Sequence, residues 1–109
     1  MKAHPSQIRE VHLDKKLIAV RTDGYIMVSP EARRIGVNIP NDQFQFGYLR
    51  IGGTRDEQTE CLSDIWGCAL TYVESHPESI VSVIDGRRAL HSFGYDDLPA
   101  LRKNNITAS

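Results

Sequence analysis

A chain of 109 residues with a formal net charge of -1 has room for one domain and carries no global field toward nucleic acid or membrane. Apolar residues make up 40% and charged residues 25%, ordinary globular usage that excludes a disordered chain. Apolar runs such as Leu17–Val20 reach only four residues, far short of a membrane-spanning helix.

In chain order, residues 1–6 read as a loose lead-in. Ile8–Leu13 has the composition of a short strand, and Asp14-Lys15-Lys16 is turn-like. Leu17–Thr22 and Tyr25–Val28 are two runs of strand formers joined by Asp23-Gly24. Asp-Gly between such runs predicts a hairpin with a type I′ turn, which needs positive φ at both central residues. Ser29, Pro30 and Gly36 bracket one or two helical turns, with Ser at the cap, Pro at the first position and Gly past the end. Asn38–Asp42 reads as loop. Gln43–Ile51 places Phe44, Phe46 and Tyr48 on one face and Leu49 and Ile51 on the other and predicts a strand, central or bent at Gly47.

Gly52-Gly53 ends that strand. Thr54, followed three residues later by Glu57, has capping-box spacing, and Asp56 and Glu57 suit the positive end of a helix dipole. The helix is expected over Arg55–Glu74. Leu62, Ile65, Trp66, Ala69, Leu70 and Val73 recur at helical spacing and define its buried stripe. His76-Pro77 stops it. Ile80–Ile84 and Arg87–Ser92 predict a second hairpin around Asp85-Gly86, and Asp96–Lys103 a short final helix. The order β-β-β-(short α)-β-α-β-β-α implies an α+β fold: a largely antiparallel sheet of five to six strands packed on one main helix. One domain, residues 1–109, is expected, with 1–6 and 104–109 as loose ends.

Charge is distributed unevenly. Residues 1–50 hold eight Lys/Arg and five Asp/Glu, whereas 51–109 hold five and nine. Glu57, Glu60 and Asp64 recur on one face of the main helix. Such a face is usually a solvated one, but it also offers a docking surface for a basic partner. A lone helix covers only part of a six-stranded sheet, so a second copy of the chain is the other expected partner. These features point to a small non-enzymatic interaction protein, an adaptor or inhibitor that acts as a homodimer.

The alternative is a small-molecule-binding domain or small enzyme. Its pocket, between sheet and helix, would be lined by Phe46, Tyr48, Trp66, Tyr72 and His91. A weaker alternative is nucleic-acid binding through Arg33, Arg34, Arg50, Arg87 and Arg88. The Gly52-Gly53-Thr54 turn resembles an anion site, but Asp56 and Glu57 at the same helix end argue for a plain cap. Neither the phosphate-loop lysine pattern nor dinucleotide glycine spacing occurs, so no cofactor is expected, and no histidine stands at ligand spacing on the helix to suggest a metal. No catalytic residue is assigned. Cys61 and Cys68, seven apart on a helix, stand about 10 Å apart along its axis, too far for a disulfide. Without a secretory leader, this implies a cytoplasmic protein with no membrane partner.

Overall fold

The computed structural model of the protein describes residues 8–37 and 47–104. Strands β1 (Ile8–Leu13), β2 (Lys16–Thr22), β3 (Tyr25–Val28), β4 (Leu49–Ile51), β5 (Val81–Asp85) and β6 (Leu90–Phe93) form one sheet. Its order is β4-β3-β2-β1-β5-β6, and every neighbouring pair is antiparallel. Helix α1 (Arg55–Ser75) packs across one face, and a short helix α2 (Leu98–Asn104) follows β6. Pro30–Ile35 forms the expected short helical piece, as 3-10 helix, with Gly36 left-handed at its end. Residues 43–46 of the expected fourth strand, with Phe44 and Phe46, lie outside the described residues.

Helix α1 begins as its sequence dictates. The Thr54 hydroxyl accepts from the Glu57 amide, and the Glu57 carboxylate accepts from the Thr54 amide at 2.9 Å. Its stripe of Leu62, Ile65, Trp66, Ala69, Leu70 and Val73 is buried against Val11, Leu13, Ala19, Ile26, Val28, Val81 and Val83 of the sheet. Trp66 is wholly buried, edge-on to Phe93 with centroids 5.7 Å apart.

Strand alternation sorts the remaining residues to the other face. Glu10, His12, Val20, Met27, Arg50, Ser82, Ile84, Leu90 and Ser92 pair across neighbouring strands there, and no helix among the described residues covers them.

The hairpin turns depart from expectation. Asp23-Gly24 joins β2 to β3, but positive φ occurs only at Gly24, at 85°. That is the requirement of a type II turn, not type I′. The pattern with both residues positive falls instead on Asp14 and Lys15, at 50° and 69°, between β1 and β2. The Asp14 carboxylate accepts from the Ile80 amide and the Ser79 hydroxyl, anchoring this turn to the entry of β5. In the second hairpin Asp85 stands at the first turn position. Its carboxylate accepts from the Arg87 and Ala89 amides, and Arg88 takes the left-handed conformation at φ 65°. This is a type I turn followed by a left-handed residue, so the return strand starts at Leu90 rather than Arg87.

Candidate functional site

The sheet face away from α1 carries Leu90, the most exposed large apolar side chain among the described residues. Leu90 on the edge strand β6 is 64% exposed and Ile80, just before β5, is 43% exposed. Together with Ile84 they form a shallow groove of about 550 Å³, also lined by Ser82 and Ser92 and rimmed by His12, Asp14 and Lys15. The two serine hydroxyls bond to each other at 3.0 Å across β5 and β6, which satisfies polar groups that would otherwise resist burial. The His12 ring meets the Glu10 carboxylate at 2.9 Å on the same face. Strand β6 is also an edge of the sheet among the described residues, and an edge strand presents outward backbone groups to which another strand can pair.

The acidic helix face is exposed as its spacing implies. Glu57, Glu60 and Asp64 are all solvent-facing. Glu57 is already engaged by the cap, which pulls its carboxyl below the ordinary range. Glu60 and Asp64 stand one turn apart. Asp64 also borders a groove of about 540 Å³ between α1 and β4, shared with Cys61 and Cys68. Burial first, and the Asp64 charge second, push both thiols up. They are free thiols, protonated at neutral pH.

The residues named for a pocket between sheet and helix are dispersed. Trp66 is sealed in the core. Tyr72 stacks on His76 at 3.9 Å near the helix end and accepts a hydrogen bond from Arg34. His91 bonds to Asp85 at 3.0 Å near the β5–β6 turn, and that contact is the largest cause of the lowered Asp85 pKa. Tyr48 is half-buried beside β4, and Phe46 lies outside the described residues. The named arginines are scattered too. Arg33 and Arg34 sit on the 3-10 helix, Arg50 lies 4.1 Å over the Tyr25 ring near one sheet edge, and Arg87 and Arg88 occupy the turn near the other. Among the described residues no three potential metal ligands gather.

Sequence reasoning passed over Arg9 and Arg21. The visible signal for Arg21 is its place two residues after Ala19, which puts its side chain on the helix-covered face. No family model, curated protein or solved structure matches this chain.

Proposed function

We propose that the protein is a small non-enzymatic interaction protein that works as a homodimer, two copies meeting over the Ile80–Ile84–Leu90 groove and the β6 edge. The observation that carries this reading is the exposure of Leu90 and Ile80 on a sheet face that no helix among the described residues covers. Burying each of them against a second copy contributes about 1–2 kcal/mol per side chain. A two-fold axis doubles every such contact, because the same patch serves both copies. The α1 face stays clear of this interface, leaving Glu60 and Asp64 to receive a partner with a basic surface. A reducing compartment such as the cytoplasm suits the two free thiols.

Hydrogen exchange at two protein concentrations tests the dimer. Amides of Leu90–Phe93 should gain protection as concentration rises, while those of α1 stay the same. Protection of β6 that is independent of concentration would refute the reading.

A further inference from the structure

A second cleft lies on the helix side of the sheet, away from the apolar groove. The topology brings several separate pieces of chain to one end: the start of β1, the β2–β3 turn, the entry to α1 and the β5–β6 turn. Between them is a cleft of about 420 Å³, lined by Arg9, Arg21 and Arg55 with Gly24, Gly53, Gly86, Gln58, Thr22 and Asp23. Three arginines and one aspartate contribute to this lining.

Each arginine has a different element behind it. Arg21 comes from β2, is only 9% exposed, and donates from Nη2 to the Thr59 hydroxyl at 2.9 Å, which fixes its direction. Burial, followed by repulsion from Arg55, holds its guanidinium below the ordinary value, so the two cations are close enough to oppose each other. Arg9 comes from β1, where the pairing register with β5 shifts between Ile8 and Glu10. Arg55 is the first residue of α1. Among the described residues neither Arg9 nor Arg55 has a carboxylate at salt-bridge distance. The acidic residues at the helix start do not fill the cleft. Asp56 and Glu57 are absent from its lining, and Glu57 is folded back onto Thr54. The cap uses its own amides, so the guanidinium groups, rather than the helix end, supply the attraction.

We propose that the Arg9–Arg21–Arg55 cleft binds the phosphate group of a small molecule. A phosphomonoester carries about -1.5 to -2 charges near neutral pH, opposite in sign to the three arginines of the lining. Guanidinium forks bond phosphate oxygens in pairs. Gly24 and Gly86 leave open space at the cleft wall for the ligand to approach backbone, whereas Gly53 is flanked by the Glu57 side chain. A cleft of this size is in the range that holds small ligands. This site is independent of the dimer groove, so either proposal stands if the other fails.

The test is a titration of the folded, full-length protein with pyrophosphate, followed by amide chemical shifts and with sodium chloride holding ionic strength constant. Saturable shifts at Gly24, Gly53, Gln58 and Gly86 are expected. The double variant Arg9→Gln/Arg55→Gln, at two exposed positions, should keep the folded spectrum and weaken binding at least tenfold. Arg55→Lys keeps the charge but loses the fork, and should fall between. No saturation up to about 10 mM, ten times weaker than a millimolar site, would overturn the proposal. So would equal shifts with acetate. Tighter, steeply salt-dependent binding of a single-stranded oligonucleotide would also overturn it, in favour of nucleic acid.

Discussion

On one side of the sheet, Val11, Leu13, Ala19, Ile26, Val28, Val81 and Val83 are sealed beneath α1; on the other, Val20, Met27, Ile84 and Leu90 meet no helix among the described residues. Both faces are built from the same strands, and alternate residues decide which side each apolar group serves. The covered face supplies the energy that holds the monomer together. The open face contributes less to that fold and leaves apolar area available for association. Its most exposed apolar side chain, Leu90, sits on an edge strand, where a stability argument alone would favour a charge.

The comparison breaks most sharply at Trp66. Trp66→Ala should cost about 3–5 kcal/mol, most of the stability of a domain this small, as read by urea denaturation. Leu90→Ala, on the open face, should change monomer stability by no more than about 0.5 kcal/mol under conditions where the protein is dilute. A similar cost at both positions would erase the distinction between the faces.

Smaller effects come from the helix cap and the turns that set the faces apart. Thr54→Ala removes the acceptor for the Glu57 amide and should cost about 1 kcal/mol by the same denaturation assay. Lys15→Gly places glycine where φ is already 69° and should stabilise the fold by about 0.5–1 kcal/mol, visible as a raised Tm. Gly24→Ala, at φ 85°, should lower it.

The smallest effect concerns Asp85. Its hydrogen bond with His91, then those from backbone amides, holds its folded pKa below the ordinary value. The carboxylate therefore adds stability above the unfolded pKa of about 3.9, and that stability is lost as pH falls through the lower folded value. Asp85→Asn should destabilise the protein near pH 7, with the difference from the parent shrinking toward about pH 2. A difference that grows on acidification would contradict this.

Much of the fold could be read in the chain. The Thr54–Glu57 box and the Leu62–Val73 stripe fix α1, since both signals lie within a few turns of each other. The strands flanking Asp23-Gly24 were visible for the same local reason. The type of that turn was not, because Asp-Gly satisfies both type I′ and type II, and the turn-like Asp14-Lys15-Lys16 carries no glycine to signal positive φ at two successive residues. The exposure of Glu60 and Asp64 followed from helical spacing. The apolar groove and the arginine cleft did not, because both depend on β1 pairing with β5. That pairing joins residues such as Val11 and Val83 across most of the chain, and no local pattern encodes it.

The most direct test of self-association is the solution mass by light scattering behind a sizing column, for the parent and for Leu90→Asp. The account predicts twice 12.3 kDa for the parent and 12.3 kDa for the variant, with unchanged circular dichroism. A parent that runs as a monomer at every concentration, or a variant that remains a dimer, would contradict it.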